Sequence, residues 1–251
     1  MVGTLLIRGM LVGFVAGLLV FGFGRLVGEP QVDRAIAFET ALDEAKAKAE
    51  VAKGMSVMTP QSEIVSRDVQ ASFGLFTGVM VYSAAFGGLF ALVFAVANGR
   101  IGTLRPRAVA GLLALGGFLV LYVVPSLKYP ANPPSVGEPE TIGIRTGLYF
   151  LVMLISISAM VIAVMAQRWL TLRFDGWSAA LLAAAGYLAV IVAADLVLPA
   201  INEVPEGFPA VVLWRFRMAS FGMQAIMWST IGLLFGALTE SSYDRQVPTS
   251  P

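Results

Sequence analysis

The side chains of this sequence that could bind a ligand are seven carboxylates and amides. They are Asp195, Asn202, Glu203 and Glu206 in one polar segment and Asn132, Glu138 and Glu140 in another. Carboxylate, amide and carbonyl oxygens are hard ligands that suit divalent cations. If the two segments meet, these groups could surround such an ion, with Met223 or Met227 beneath it.

The same acids have a structural alternative, in which they form ion pairs that only brace the polar segments. Arg145, Arg215 and Arg217 are close to them in the sequence and could neutralise them. A metal site made from these oxygens alone would be weak and poorly selective among divalent ions. Both interpretations stay open, and the local chemistry favours the structural one.

The chain contains no Cys and no His. Disulfides, thiolate nucleophiles, His-ligated zinc or iron and His-based acid–base catalysis are therefore excluded. The sequence also lacks the phosphate-loop pattern G-x-x-x-x-G-K-[ST], the nucleophile elbow G-x-S-x-G and the zinc-binding H-E-x-x-H. We expect no enzyme and no resident cofactor, so that any metal would be a transported divalent cation.

The composition is that of an integral membrane protein. Hydrophobic residues make up 57% of the 251 residues and charged residues 13%, and the mean hydropathy is +0.80. These values are too apolar for a soluble domain of this length. The formal net charge of +1 and the lack of a dense basic block argue against nucleic acid as a partner.

Apolar runs predict six transmembrane helices within a single domain, residues 1–251. They cover about residues 5–27, 71–97, 108–127, 147–167, 178–198 and 218–238. None carries an ionisable residue near its middle, where a charge would oppose insertion by about 3 kcal/mol. The predicted fold is an all-α, polytopic integral membrane helix bundle, with the six spans arranged as three hairpins.

Small residues spaced by four predict close packing of several spans. Gly9, Gly13 and Gly17 fall on one face of the first span, and this favours a retained helix over the alternative of a cleaved signal peptide. The same spacing recurs in two further glycine pairs, namely Gly74 with Gly78 and Gly232 with Gly236. We therefore expect close helix contacts at all three places.

The first connection, residues 28–70, is predicted to be a polar outer loop that contains one short helix outside the membrane. A three-and-four spacing of apolar residues predicts that helix, at Ala35, Phe38, Leu42, Ala45, Ala49 and Ala52. Its charged face keeps an amphipathic helix solvated, and docking onto a partner subunit is the alternative. Met55 and Met58 follow; they could ligate a soft metal, but incidental loop residues explain them more simply.

Basic residues in the short connections predict the orientation. Arg100, Arg105 and Arg107 lie between spans two and three, and Arg168 and Arg173 lie between spans four and five. The positive-inside bias then makes both termini cytoplasmic and the three Pro- and Glu-rich connections external. Basic residues beside the external connections, such as Lys128, weaken this argument.

The three external connections resemble one another. Gly28-Glu29-Pro30 recurs as Gly137-Glu138-Pro139, and Pro205-Glu206-Gly207 is a scrambled version. Each connection closes with an arginine next to a new span, at Arg67, Arg145 and Arg215. An internal repeat explains the pattern, and so does coincidence, since turns favour Pro and Gly and helix ends favour Arg.

Three stretches together resemble the CbtA family of cobalt transporter subunits. They read IRGMLVGFVAGLLVFGFGRLVGEPQVDRAIAFE, LKYPANPPSVGEPETIGIRTGLYF and LPAINEVPEGFPAVVLWRFR, and the resemblance covers nearly the whole chain. It implies a bacterial inner-membrane protein that takes up cobalt for cobalamin synthesis. It also implies a partner, the small single-span subunit CbtB with a His-rich metal-binding end. Members of the family are usually described with five transmembrane spans, whereas the apolar runs of this sequence predict six.

Two classes of function therefore remain to be compared. In the first, this chain forms the permeation path and the outer oxygen groups receive the ion, while a His-rich partner captures it. In the second, the chain is a non-transporting membrane scaffold or assembly subunit. The sequence leaves the oligomeric state open, including a homo-oligomer.

Overall fold

The computed structural model of the chain describes residues 2–53, 65–100 and 102–244, and its regular secondary structure there is helical. The α-helices of these ranges are α1 Val2–Phe23, α2 Glu29–Ala52, α3 Arg67–Val69, α4 Leu75–Ala97, α5 Pro106–Phe118, α6 Val124–Lys128, α7 Ile142–Leu170, α8 Gly176–Val197 and α9 Ala210–Asp244. π-Helical turns at Gly24–Gly28, Gln70–Gly74 and Leu119–Val123 join α1 to α2, α3 to α4 and α5 to α6. A 3₁₀ turn, Pro139–Thr141, leads into α7.

Six helical stretches of the described chain are long and apolar enough to cross a membrane. They are Val2–Ala52, Arg67–Ala97, Pro106–Lys128, Pro139–Leu170, Gly176–Val197 and Ala210–Ser242. Each contains or overlaps one of the six predicted spans. The prediction of an all-α polytopic helix bundle is confirmed.

The helix predicted within residues 28–70 is present, but it does not stand alone in a loop. α1, the π turn and α2 form one continuous helix of 51 residues, about 75 Å long at 1.5 Å per residue. Pro30 does not break it, because the π turn Gly24–Gly28 directly before it shifts the hydrogen-bond register, with the Glu29 N–H bonded to the Gly24 carbonyl oxygen, and so accommodates the missing N–H of proline. The helix of this region therefore begins at Glu29, directly after the π turn. Met55 and Met58 lie outside the described residues.

The chain forms two compact units. Unit 1 consists of Met1–Gly116, Asn132–Ser135 and Glu206–Pro251, and unit 2 of Gly117–Ala131 and Val136–Pro205. The first predicted hairpin, α1 with α4, lies within unit 1. The two spans of the third predicted hairpin belong to different units, α8 to unit 2 and α9 to unit 1.

Glycines allow α1 and α4 to approach at backbone contact in unit 1. A Cβ on Gly9 would collide with the carbonyl oxygen of Gly87, and a Cβ on Gly13 with that of Ser83. The sequence numbers fall on one helix as they rise on the other, so the two helices run antiparallel. Such contact maximises van der Waals attraction, which drives helix association where lipid removes the hydrophobic effect. The predicted packing of Gly9, Gly13 and Gly17 is confirmed.

The other two glycine pairs have opposite outcomes. A Cβ on Gly232 would meet the Cβ of Ala114 at 2.4 Å, and Gly236 faces Ala110, so this pair packs α9 against α5. The prediction for Gly74 and Gly78 was wrong, since no described atom lies within 4 Å of a Cβ built on Gly78. Spacing alone cannot tell a contact face from a face turned to lipid.

Unit 2 is built on α7 and α8. The hydroxyl groups of Ser156 and Tyr187 share a hydrogen bond of 2.9 Å between the two helices, and Ser156 is fully buried. Asp175 begins α8 by accepting hydrogen bonds from the backbone N–H groups of Trp177 and Ser178, each at 3.0 Å. These bonds, led by those from Ser178, lower the pKa of the Asp175 carboxyl. Such a cap satisfies N–H groups that the helix leaves without partners.

Candidate functional site

Parts of the three predicted external connections meet at one end of unit 1, which we call the cap end and define by residues 29–39, 132–135 and 206–208. The Ser135 hydroxyl donates to the carbonyl oxygen of Ala35 at 2.9 Å. The rings of Phe38 and Phe208 meet edge to face, with their centroids 5.1 Å apart. The first, second and third connections therefore contact one another, as a common external side requires.

The start of α1 and the end of α9 lie together at the opposite end of unit 1. Arg8 near the start of α1 donates to the hydroxyls of Thr239 and Ser242 near the end of α9, at 3.2 and 2.7 Å. Arg105, between α4 and α5, lies 3.7 Å from Glu240. The basic link between spans two and three thus lies on the same side as the start of α1 and the end of α9.

The first connection is held together by one arginine. Arg67 pairs with Glu29 and with Asp33, and the Arg67 Nε–Asp33 Oδ1 distance is 3.1 Å. Glu29 is only 7% exposed. Without Arg67, a buried charge on Glu29 would cost free energy, because no opposite charge would compensate it. Arg67 therefore fixes α3 against the start of α2.

The second connection is held by Glu203, which belongs to the third. Glu203 Oε2 accepts hydrogen bonds from the backbone N–H of Glu138 at 2.8 Å and from the hydroxyl of Thr141 at 2.9 Å. The same oxygen lies 3.4 Å from Arg145 Nε, and both side chains are largely buried, with 15% and 22% exposure. Within unit 2, Glu203 is thus the centre of a network that ties the two loops together.

These contacts also change the acidity of Glu203. Hydrogen bonds from Glu138 and Thr141, with the nearby positive charge of Arg145, hold the pKa of the Glu203 carboxyl below its ordinary value of 4.5. Each of these partners stabilises the charged form of the carboxyl. Glu203 therefore stays ionised down to mildly acidic pH.

Two of the three connections share one arrangement of the motif and the closing arginine. Arg67 returns to Glu29 of the first Gly-Glu-Pro motif, and Arg145 donates to the carbonyl oxygen of Glu138 in the second, at 3.2 Å. In the third connection Arg215 and Glu206 are both exposed. The shared plan is thus a closing arginine that folds back onto the motif at the beginning of its own connection.

The remaining predicted oxygen ligands divide into paired and exposed groups. Lys128 Nζ lies 3.6 Å from Asp195 Oδ1 and donates to the Asp195 carbonyl oxygen at 2.5 Å. Arg217 donates to Asn132 Oδ1 at 2.9 Å. The exposed residues of the set are Glu138, Glu140, Asn202 and Glu206, and Asp195 is also more than half exposed.

Two contacts here were not expected from the sequence. Lys128 had been considered only for orientation, yet it is the partner of Asp195. The Tyr129 hydroxyl donates to the carbonyl oxygen of Pro199 at 2.8 Å, and burial, together with the Asp195 charge, raises the pKa of Tyr129. The adjacency of Lys128 and Tyr129 at the end of an apolar run was the available signal.

The seven predicted ligands do not all belong to one unit. Asn132 and Glu206 lie in unit 1, and the other five lie in unit 2. Within the described ranges, no group of three or more acidic side chains is placed so that it could hold a metal ion. The contacts present are those of a brace, and ion binding by these oxygens stays a prediction.

The low pKa of Glu203 leads to a test of the brace by pH. A carboxyl whose pKa is lower in the folded state adds stability above its unfolded pKa, and that contribution is lost as pH falls through the folded pKa. We therefore expect Glu203→Gln to lower the thermal midpoint at neutral pH. The difference from the unaltered chain should shrink below pH 4.5. Midpoints of both proteins measured across acidic pH would check this, and a difference that grows in acid would contradict it.

Comparison with known proteins agrees with this architecture. No curated protein and no solved structure matches the chain. A family model described as a probable cobalt transporter subunit, CbtA, matches residues 2–240. The match runs through all six membrane-spanning helices and all three connections of the cap end. The chain therefore belongs to the CbtA family.

Proposed function

We propose that this chain is the membrane subunit that forms the permeation path of a divalent-cation uptake transporter, with cobalt as its cargo. Membership of the CbtA family over residues 2–240 carries this proposal. Six helices able to span a membrane supply the passage. In a chain without His and Cys, the oxygen groups of the external connections are the ligands available to an arriving ion.

The exposed acids are the first groups that the ion meets. Glu140 and Glu206 have no ion pair in the part of the chain that the structure describes, and both face outward from their connections. Glu203 and Asp195 would first have to leave Arg145 and Lys128. We therefore assign initial capture to Glu140, to Glu206 and to Asn202, which precedes Glu206 in the same connection. Later contact is assigned to Glu203, Asp195, Asn132 and Glu138.

A transporter subunit acts with another subunit. We assign that role to a small single-span protein with a His-rich end, because imidazole is the metal ligand that this chain lacks. The location that fits is the bacterial inner membrane, with both termini in the cytoplasm. The basic link that contains Arg105 lies on the side of the termini, as the positive-inside bias requires.

A scaffold or assembly role is the second candidate, and specific contacts favour it. Glu203, Asp195 and Asn132 are all engaged by basic side chains. In a scaffold, these pairs hold the connections in shape for a partner, and no ion ever displaces Arg145 or Lys128. The two roles therefore differ in whether the exposed acids matter to uptake.

Uptake of labelled cobalt in cells that lack other cobalt transporters separates the two roles. The chain is expressed with and without a His-rich single-span protein, and its Glu140→Gln/Glu206→Gln variant is compared with Arg215→Gln, which alters an exposed charge of the same connections. For a permeation path, we expect the double variant to raise the half-saturating cobalt concentration by about tenfold at unchanged protein level, as for loss of charged ligands. Arg215→Gln should leave it unchanged.

Two results would overturn the proposal. Equal uptake by the double variant and the unaltered chain, with both proteins inserted, would favour the scaffold. Full saturable uptake without any His-rich protein would remove the assigned partner. A requirement for nickel rather than cobalt would change the cargo but leave the path in place.

A further inference from the structure

We propose that unit 1 holds one anionic phospholipid in a groove between α1 and α9, with the lipid phosphate on Arg8. The groove has a volume of about 370 Å³. It is bordered by Thr4 and Arg8 at one end and by Leu11, Val15, Leu234 and Leu238 along its walls. The proposal requires only that the helices span a bilayer, and it is independent of the cargo.

The groove combines a cation with apolar walls. Leu11 is 63% exposed, and Val15 and Leu238 are 42% and 43% exposed, so the walls are open to the bilayer. Arg8 is the charged residue among the described residues that line the groove, and Thr239 and Ser242 orient its guanidinium. A guanidinium has five N–H donors in a planar fork that matches phosphate oxygens, and these two hydroxyls accept only two of them.

The length of the groove decides between a lipid and a helix. Its α1 wall runs from Thr4 to Val15, about 17 Å at 1.5 Å per residue. One leaflet contributes about 15 Å of the roughly 30 Å hydrocarbon core. One acyl chain of a lipid whose headgroup is near Arg8 matches this length and lies along the groove, whereas a transmembrane helix of a partner would need twice that length.

Side chains close the groove beyond that depth. Farther along the same two helices, Phe23 lies against Gly222 and Met223 lies against Gly24. The junction of α1 and α9 is therefore packed in the half near the cap end and open in the half near the termini. This asymmetry fits a ligand of the leaflet nearer the two termini.

Lipid binding to the purified full chain tests the proposal. Native mass spectrometry compares phosphatidylglycerol with phosphatidylcholine at equal concentration. Both lipids offer a phosphate to Arg8, but the choline cation of phosphatidylcholine opposes the guanidinium charge, so we expect the anionic lipid to bind about tenfold more tightly. Arg8→Gln should remove this preference. Arg173→Gln, which changes an arginine held over the Trp169 ring at 5.1 Å, should keep it.

A second variant keeps the test decisive if Arg8→Gln disturbs folding. Val15→Trp fills the apolar part of the groove and leaves Arg8 with Thr239 and Ser242, so we expect it to weaken binding of both lipids severalfold. Inorganic phosphate alone should displace nothing, because it has no acyl chain.

Several results would overturn the lipid assignment. These are equal binding of the two lipids by the unaltered chain, equal losses in Arg8→Gln and Arg173→Gln, and displacement by inorganic phosphate. A photo-crosslinker at Leu11 that captures a protein segment instead of a lipid would assign the groove to a partner.

Discussion

Replacing Gly13 by leucine is expected to destabilise unit 1 strongly. A side chain at this position would enter the carbonyl group of Ser83 in α4, and a backbone carbonyl cannot move aside as the tip of a side chain can. The two helices would have to separate along the whole crossing. We expect a loss of about 3 kcal/mol or more in the free energy of unfolding. Unfolding in mixed detergent micelles, followed by circular dichroism or aromatic fluorescence, would measure it.

Gly78→Leu is the matched control, because it makes the same change on the partner helix. No described atom lies within 4 Å of a Cβ at Gly78, so the new side chain should extend into lipid. We expect its effect on the free energy of unfolding to stay within about 1 kcal/mol, because leucine has a higher helix propensity than the glycine that it replaces. If both variants are equally damaging, the close contact of α1 and α4 is not what stabilises unit 1.

The second large effect is expected from Gly137→Ala in the second connection. Gly137 has a φ of +120°, where a residue with a Cβ is strained, and its Cβ would also meet the guanidinium of Arg145. The guanidinium can move away, but it would then lose the Glu138 carbonyl oxygen and Glu203. We expect a loss of about 1 to 3 kcal/mol from the backbone strain alone. A lower thermal midpoint of the purified protein would show it.

Gly147→Ala in α7 is the control for this substitution. A Cβ at Gly147 meets no described atom within 4 Å, and the residue has ordinary helical geometry. Alanine is a better helix former than glycine by roughly 1 kcal/mol. We therefore expect Gly147→Ala to keep or raise the midpoint. A drop of similar size in both variants would mean that Gly137 has no special conformational role.

Much of the fold could be predicted because membrane helices follow simple rules of length and composition. The six spans could be predicted from apolar runs. The crossing of α1 and α4 could be predicted from the spacing of Gly9 and Gly13. The same spacing misled at Gly78, because a glycine facing lipid and a glycine facing a helix look alike in sequence. Which helices share a unit depends on distant contacts, such as Arg8 with Ser242, that no local pattern encodes.

For the candidate site, the sequence indicated that basic side chains would contact the acids, but it did not indicate which basic residue contacts which acid. Arg145 had been named as a partner for the acids, and it does contact Glu203. Asp195 instead uses Lys128, and Arg217 uses the amide of Asn132 rather than a carboxylate. Ion pairs between loops depend on where each loop folds back. The turn at Gly137 sets that path, and residue types alone do not specify it.

The unbroken helix from Val2 to Ala52 couples the bilayer to the water outside it. Because a helix resists twisting about its axis, α1 cannot turn within its crossing with α4 unless α2 turns by the same angle. Such a rotation would swing Ala35 and Phe38 away from Ser135 and Phe208. The contacts at the cap end and the contacts between α1 and α4 are therefore mechanically coupled, and a rotation of one changes the other.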